Sequence, residues 1–400
     1  MNNNLIKKIE DIAKEKDEEE EARYYEKYFT IFEETYKILE NKNILLYGGV
    51  AINELLPSKL QFYKTTALPD IDVLTTNGEK LAQKIVKYFQ KKGFSNITTG
   101  HSEALHPGTY KVYVDSLQIL DITDIPSNVY KRLSKNAVQS RHKGIKIVDP
   151  QFLRMTLHLI LAKGDASTVH RWGKVLERLS LFYKQFPPKI CKKENKKDDA
   201  KELIPADIYK TIYNIIREHE YVVFGLHEME AIIDKKLGAE TIHSPIQLLC
   251  KDNKITTVAE NFIHNISAHD SIFSKHLKIS KVYEADSLVP DHIFVLYKQV
   301  PIITIFHAHE CYGYNNNDGI RIASIHTIIF MYLCIILSPY KHFKYIDSLE
   351  CLVNKLAVLN SKYRGTNKKL LQDIVIQCYG ENIGLVTMRK NRLLRLAPGK

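Results

Sequence analysis

The spacing of apolar residues predicts alternating helices and strands along the chain. Residues 5–40 begin with charged positions and continue with an aromatic stripe at helical spacing, which predicts one long amphipathic helix. Such a stripe is typical of a helix that packs on the domain behind it, and a base-stacking platform is the alternative. The stripe comprises Tyr25, Tyr28, Phe29, Phe32 and Tyr36.

The next segment combines a glycine turn with an acidic strand. The apolar run Ile44–Tyr47 predicts a strand, Gly48-Gly49 interrupts it, and a helical pattern follows. A second apolar run carries Asp70 and Asp72 two residues apart. Because side chains alternate along a strand, both carboxylates are expected on one face. Paired carboxylates suit divalent cations in nucleotidyl transfer, and glycines before a helix let the backbone approach a phosphate.

A hairpin is predicted over residues 109–124, with its turn at Asp115-Ser116. Asp121 lies late in the second arm, inside an apolar run, and Asp124 is the rival for the same role. A third carboxylate on a neighbouring strand is what a two-metal site requires, because two acids leave the metals under-coordinated. Asp121 is favoured because it lies within the predicted strand.

Two helices are predicted between residues 150 and 184, after a helix over Glu79–Lys92 that ends at Gly93. The second of the two places Arg171, Lys174 and Arg178 on one face. Such a stripe is either a solvated charged face or a surface that binds phosphate or RNA. The charged, proline-led residues 187–205 that follow predict a linker.

The pattern then repeats. YVVFGLHEMEAII (221–233) matches LLYGGVAINELL, and a second hairpin (293–306) matches the first. PIQLL (245–249) also matches DIDVL, and GIRIASIHTIIFMYL (319–333) matches GIKIVDPQFLRMTLH (144–158). Four matches in the same order indicate a duplicated α/β unit. The substitutions from the first copy to the second are Gly49 to Leu226, Asp70 to Pro245, Asp72 to Gln247 and Asp121 to Thr304. The second copy lacks the carboxylates, so it is expected to be catalytically silent and to serve RNA binding, dimerisation or partner docking.

Composition indicates the charge of the partner. The net charge is +11 and the pI about 9.0, which favours an anionic partner such as a nucleic acid or nucleotide. The six cysteines are scattered without a CxxC pair, which favours reduced thiols over a zinc site. The first residues show no secretory pattern, and the apolar run Ile325–Leu337 is too short for a membrane span and predicts a buried helix.

The segments GGVAINEL, LPDIDVLT, LQILDIT and RWGKVLERL together resemble the nucleotidyltransferase superfamily. More narrowly, they resemble the catalytic poly(A) polymerase of large cytoplasmic DNA viruses, the poxvirus and giant-virus type. The resemblance implies template-independent addition of AMP from ATP to RNA 3′ ends, with two Mg²⁺ or Mn²⁺ ions. It also implies a homodimer located in the virion and the host cytoplasm.

The resemblance also implies roles for individual residues. Asp70, Asp72 and Asp121 would hold the metal ions, and Gly48 and Gly49 would cradle the ATP phosphates. Among the basic residues of the following helices, the candidates for the triphosphate are Arg154, Arg171 and Lys174.

The predicted fold class is α+β, with two tandem nucleotidyltransferase-like domains, of which the second is degenerate. The predicted divisions are an N-terminal helix (1–40), a catalytic domain with its following helices (41–186), a linker (187–205), the degenerate domain (206–370) and a basic C-terminal segment (371–400). Two other functions stay open: a nucleotidyltransferase with another acceptor (a tRNA end, a protein or a small molecule), and a non-catalytic RNA-binding or processivity protein.

Overall fold

The structure, a computed structural model, describes residues 3–94, 96–102, 108–115, 117–165, 168–189, 204–225, 245–252, 254–340, 342–343, 346–363 and 375–380. Three predicted features lie wholly or mostly outside these residues: the helix after the second glycine turn with Leu226, the middle of the linker, and the basic C-terminal segment. The chain divides into two compact units, residues 1–153 and 154–400.

The first unit contains helices on one mixed sheet. Its described helices are α1 (Asn3–Leu39), α2 (Gly48–Leu55), α3 (Gly78–Lys91) and α4 (Ser127–Ser134), and α5 (Pro150–Ala162) begins in it. Its strands are β1 (Leu45–Tyr47), β2 (Ile71–Thr75), β3 (Ile97–Ser102), β4 (Thr109–Val114), β5 (Leu117–Asp124), β6 (Val138–Gln139) and β7 (Lys146–Ile147).

The long N-terminal helix α1 is confirmed, and only its last turns are buried. Ile31, Phe32, Thr35 and Leu39 are at most 3% exposed, whereas the first turns are solvated. The burial at every third or fourth residue is the pattern of one helix face on a core. The charged start of α1 therefore contributes little to the core of this unit.

The first sheet has the strand order β3-β4-β5-β2-β1-β7-β6. Its central strands β2 and β5 run parallel, and β1 runs antiparallel to β2. Helix α3 covers this sheet with Leu81, Ile85 and Phe89. It begins where the Asn77 side chain accepts a hydrogen bond from the Lys80 amide (3.3 Å). It ends before Gly93, whose φ of +91° suits the C-terminal position that the sequence predicts.

The second unit contains a second sheet with its own helices. After α5, its described helices are α6 (Trp172–Gln185), α7 (Ala206–Glu218), α8 (Ile255–His269), α9 (Ser271–Ser274), α10 (Ile325–Leu337) and α11 (Ile346–Tyr363). Its strands are β8 (Val222–Phe224), β9 (Ile246–Cys250), β10 (Leu277–Ile279), β11 (His292–Tyr297), β12 (Val300–His307), β13 (Tyr312–Asn317), β14 (Ile320–Ala323) and β15 (Cys378–Tyr379).

The second sheet has the order β10-β11-β12-β9-β8-β14-β13-β15, and its first seven strands repeat the order of the first sheet. The additional strand β15 pairs with β13 at the edge. The pairing directions agree as well: β9 is parallel to β12 and antiparallel to β8. The register also repeats, because Gln247 faces Thr304 where Asp72 faces Asp121. The predicted duplication is therefore confirmed, and with it the fold class of two tandem sheets flanked by helices.

Helix α10 is the apolar run predicted as a buried helix, and all of its residues are buried. Ser324 caps it by accepting a hydrogen bond from the Thr327 amide (3.2 Å). Among the described residues, the helices are all too short or too polar to cross a membrane.

One expectation about the cysteines is wrong. Cys311 and Cys378 form a disulfide with Cα atoms 5.2 Å apart, whereas Cys250 and Cys334 are buried free thiols. The expectation of reduced thiols followed from the absence of closely spaced cysteines. Pairing of β13 with β15 brings together two residues that are distant in the sequence, and sequence spacing does not reveal this.

The two units divide within α5, whereas the predicted domain boundary follows residue 186. Arg154 and His158 explain the difference, since they bond to residues far along the chain. Arg154 donates to Asn354 Oδ1 (2.8 Å), and the ring nitrogens of His158 and His326 are 2.9 Å apart. The five-part division of the chain stays a prediction.

Replacement of Thr304 tests whether its buried hydroxyl, in the β9–β12 strand pair, destabilises the folded protein. The Oγ1 atom of Thr304 is fully buried and makes no hydrogen bond to any residue that the structure describes. A buried hydroxyl without a partner destabilises the folded state, so Thr304→Val is expected to stabilise the protein by about 1 kcal/mol. Thermal denaturation followed by circular dichroism measures the change.

The matched control is Thr327→Val. Thr327 is equally buried, but its hydroxyl donates to the Gly313 carbonyl (2.9 Å). Loss of this hydrogen bond in Thr327→Val is expected to destabilise the protein by about 1 kcal/mol. Equal losses of melting temperature in both variants would contradict the interpretation of Thr304.

Candidate active site

Three aspartates meet at the centre of the first sheet. Asp70 immediately precedes β2, Asp72 lies within it, and Asp121 lies in β5. Because β2 and β5 are parallel with Asp72 opposite Asp121, one carboxylate oxygen from each of the three lies within 4.8 Å of the others. Asp124 faces Thr75 at the other end of the strand pair and is not part of this cluster. The structure therefore brings together Asp70, Asp72 and Asp121.

Burial increases across the cluster. Asp70 is exposed, Asp72 is half-buried, and Asp121 is 8% exposed. Solvent and ligands therefore reach the cluster from the side of Asp70. Oxygen donors of this kind, from three carboxylates with one open side, fit the coordination preferences of Mg²⁺ and Mn²⁺.

The Asp72 carboxylate occupies the space that a side chain at position 48 would fill, so the site requires glycine there. The φ of Gly48 is +70°, and a Cβ at this position would lie 2.0 Å from Oδ2 of Asp72. Helix α2 begins at this residue, so the positive end of the helix dipole lies beside the carboxylate. Gly49 lies in the first turn of the same helix and is half-buried. The predicted role of both glycines toward the ATP phosphates stays a prediction.

Tyr47 is buried and is the neighbour of Asp72 across the β1–β2 pair. Its hydroxyl is 2.8 Å from Oγ1 of Thr123, which in turn is 2.9 Å from Oγ1 of Thr109. Burial raises the pKa of Tyr47 well above its usual value, and the charge of Asp72 raises it further. The phenol therefore stays neutral and does not add a fourth negative charge beneath the carboxylates.

Two residues that the sequence reasoning missed hold the carboxylates in place. Lys111 Nζ lies 2.8 Å from Oδ2 of Asp121. The Gln118 amide donates to Asp70 Oδ2 (3.0 Å) and to Asp121 Oδ1 (2.9 Å), and its carbonyl accepts from Lys111 (2.9 Å). One cation and one amide therefore link two of the three acids. Lys111 faces Asp121 only because the hairpin register shifts between Val112 and Tyr113, so the sequence carries no simple signal for this pair.

The basic candidates all lie in the second unit. Arg154 is buried, and its guanidinium donates to the Tyr183 hydroxyl (3.0 Å) and the Val353 carbonyl (3.2 Å) besides Asn354. These bonds give Arg154 a structural function within that unit. Arg171 and Lys174 are exposed at the start of α6. Triphosphate binding by the three stays a prediction.

An aromatic pocket in the first unit extends from the residues next to Asp70. Pro69 and Leu68 form part of its wall, and Lys64 and Arg141 contribute positive charge. The His142 ring stacks on Tyr36 with centroids 3.6 Å apart, and burial lowers the pKa of His142, which favours the neutral imidazole. The aromatic residues along the pocket are Tyr25, Phe29, Phe32, Tyr36 and Tyr63.

Comparison with known proteins agrees with this geometry. Residues 33–165, which contain all three aspartates, match the family described as "Poly(A) polymerase catalytic subunit". This match confirms the family resemblance. The putative poly(A) polymerase catalytic subunit of African swine fever virus (isolate Pig/Kenya/KEN-50/1950) is 28% identical over 152 residues, which is 36% of this chain and 31% of that protein.

One further relative and one solved structure extend the similarity beyond the first unit. The putative poly(A) polymerase catalytic subunit of Acanthamoeba polyphaga mimivirus is 20% identical over 398 residues, covering 87% of this chain and 66% of that protein. The crystal structure of the Megavirus polyadenylate synthase has a TM-score of 0.79 at 18% identity, covering 98% of this chain and 82% of that one. The region that matches the swine fever virus protein covers about a third of the length of that protein. The Megavirus match shows a shared fold.

Replacement of Gly48 tests its link to Asp72. In Gly48→Ala the added methyl group displaces the Asp72 carboxylate, so we expect Mn²⁺ binding, measured by electron paramagnetic resonance, to weaken at least about 10-fold. The left-handed backbone is also expected to destabilise the protein by roughly 1–2 kcal/mol.

Gly93→Ala is the matched control. Gly93 also has a positive φ (+91°), but an added Cβ meets no described atom within 4 Å. It is expected to share the backbone destabilisation and to keep wild-type Mn²⁺ affinity. Equal Mn²⁺ affinity in both variants would refute the link between Gly48 and Asp72.

Proposed function

We propose that this chain is a template-independent poly(A) polymerase that adds AMP from ATP to RNA 3′ ends. The observation that carries the proposal is the meeting of Asp70, Asp72 and Asp121 within 4.8 Å, inside the segment that matches the poly(A) polymerase catalytic family. The donor set fits two Mg²⁺ or Mn²⁺ ions. When bound, such ions activate the RNA 3′-hydroxyl and neutralise the pyrophosphate leaving group.

The residues of the chain provide position and charge. Asp72, which lies two residues from Asp70 in the chain and directly opposite Asp121, is the best candidate for a ligand shared by both ions. Gln118 fixes the orientation of Asp70 and Asp121, and Lys111 balances part of their charge. Since phosphoryl chemistry depends on alignment and electrostatics, such fixed carboxylates account for much of the expected rate enhancement.

The aromatic pocket supports nucleotide or RNA binding beside the acids. Aromatic faces stack on nucleobases, and each such contact contributes about 1–3 kcal/mol. Tyr25 and Phe29 project from α1 into this pocket, which gives the aromatic stripe its alternative function as a base-stacking platform. Lys64 and Arg141 supply charge for a phosphate in the same pocket.

The proposal extends to partners and location. The net charge of +11 supports RNA as the acceptor. The homodimer and the placement in the virion and host cytoplasm rest on the family resemblance alone. The second unit is proposed to be catalytically silent, because the strand positions of Asp72 and Asp121 hold Gln247 and Thr304 there.

A primer-extension assay with an oligo(A) primer, each of the four nucleotides and Mg²⁺ or Mn²⁺ tests the reaction and the base choice together. Asp70→Ala and Asp72→Ala are expected to abolish AMP addition, and a fully active double variant would overturn the proposal. Labelled ATP with tRNA, protein and small-molecule acceptors identifies a different acceptor. Metal-independent ATP binding without incorporation would favour a non-catalytic RNA-binding protein.

Substitutions in β5 test which of its two aspartates, Asp121 or Asp124, is needed for AMP addition. Asp121→Asn removes a charge from the cluster and is expected to reduce incorporation at least about 10²-fold. Asp124→Asn, three residues further along the strand and opposite Thr75, is the matched control and is expected to stay within about 3-fold of wild type. Equal losses in the two variants would show that strand integrity, rather than the Asp121 carboxylate, controls activity.

A substitution in the second unit tests whether that unit takes part in catalysis. Gln247→Ala is expected to leave AMP addition per folded molecule unchanged, because Gln247 occupies the position of Asp72 without its charge. Gln247 is fully buried, so circular dichroism must first establish that the variant is folded. A large loss of turnover in the folded variant would assign the second unit a part in catalysis.

A further inference from the structure

A second cluster of ligating side chains lies in the second unit, where β11 begins and β12 ends. Asp291 immediately precedes β11, His307 is the last residue of β12, and His309 follows it. Oδ2 of Asp291 lies 3.2 Å from Nε2 of His309 and 4.0 Å from Nδ1 of His307. One ligand atom from each residue lies within 4.8 Å of the others.

The first unit shows that the fold does not require these residue types. The His307 amide donates to the Asp291 carbonyl (2.9 Å), and in the first sheet the Asp124 amide donates to the Gly108 carbonyl (3.1 Å). The first sheet therefore forms the same backbone arrangement with Gly108 in the place of Asp291 and Asp124 in the place of His307. A reason other than folding is needed for two histidines and an aspartate here.

The orientation of the side chains indicates a shared ligand. The Ala285 amide donates to Oδ1 of Asp291 (2.6 Å), which directs Oδ2 toward the histidines. Nε2 of His309 is shielded from solvent and makes no hydrogen bond to any described residue, although Oδ2 is 3.2 Å away. The two atoms thus lie side by side instead of pointing at each other. This is how two ligands of one cation are arranged.

We propose that Asp291, His307 and His309 bind a divalent transition-metal ion of the zinc class. Two imidazole nitrogens and one carboxylate oxygen suit such ions, whereas Mg²⁺ prefers oxygen ligands alone. Metal–ligand bonds of about 2.0–2.1 Å place tetrahedral ligands roughly 3.3 Å apart, so small side-chain rotations complete the site. The His309 side chain is 40% exposed although its Nε2 atom is shielded, so rotation of the ring opens the site to solvent and leaves a coordination position for water.

The scattered cysteines exclude only zinc sites made of paired cysteines, and this site uses none. It is separate from the three aspartates, which offer oxygen atoms alone. The proposal is therefore independent of poly(A) polymerase activity.

Titration of the full chain with Zn²⁺ tests the proposal. The protein is stripped with EDTA, exchanged into millimolar Mg²⁺ to occupy the carboxylate cluster, and titrated against a chromophoric zinc indicator. We expect one tight equivalent of Zn²⁺ per chain. His309→Asn and the double variant His307→Asn/His309→Asn are expected to bind it at least about 100-fold more weakly. His264→Asn, an exposed histidine on α8, is the matched control and is expected to bind as wild type.

Thermal denaturation in EDTA distinguishes a metal ligand from a structural histidine. Wild type and His309→Asn are expected to melt together in EDTA, and added Zn²⁺ is expected to raise the midpoint of wild type and His264→Asn only. The proposal is overturned if wild type binds no tight Zn²⁺ or if the double variant binds it equally well. It is also overturned if His309→Asn melts lower in EDTA while wild type gains nothing from Zn²⁺.

Discussion

The parallel pairing of β2 with β5 is the constraint on which the candidate site depends. It places Asp72 beside Asp121, so two negative charges share the centre of a sheet, and Asp70 adds a third at the strand entrance. Carboxylates this close repel one another, and burial of Asp121 increases the effect. The surrounding residues therefore have to compensate, through Lys111 and the Gln118 amide now and through bound cations in the proposed reaction.

The compensation depends on an irregularity in the hairpin. A β-bulge between Val112 and Tyr113 shifts the register so that Lys111 faces Asp121. With the regular register of a two-residue turn, Lys111 would face Leu120 and its ammonium group would lie on the other side of the sheet. The second hairpin keeps the bulge at the equivalent place, between Val295 and Leu296. There, however, Phe294 faces Thr304, so this pair lacks both the carboxylate and the ammonium group that faces it in the first sheet.

These details separate what the sequence reveals from what it does not. Strand alternation around Asp72 and the stop at Gly93 are local patterns, and the structure has each of them. The equivalence of the two hairpins was also visible, because apolar spacing persists after the charges are lost. The bulge was not, since an extra residue in one strand leaves no signature when both neighbours are apolar or aromatic. The contact of Gly48 with Asp72 was missed for a related reason: it joins two elements whose relative position depends on the whole sheet.

The two sheets also show how one scaffold accommodates different ion chemistry. In the first, acids at the middle of the central strands provide oxygen atoms alone, which suits hard cations that accompany nucleotides. In the second, those positions hold Gln247 and Thr304, and the ligating atoms lie at the strand end, where imidazole nitrogens join one carboxylate. The strand end of the first sheet has the same backbone hydrogen bond, with Gly108 and Asp124 in the places of Asp291 and His307. Because both positions are compatible with the same strand pairing, loss of the central acids removes one site without disturbing the frame on which the other is built.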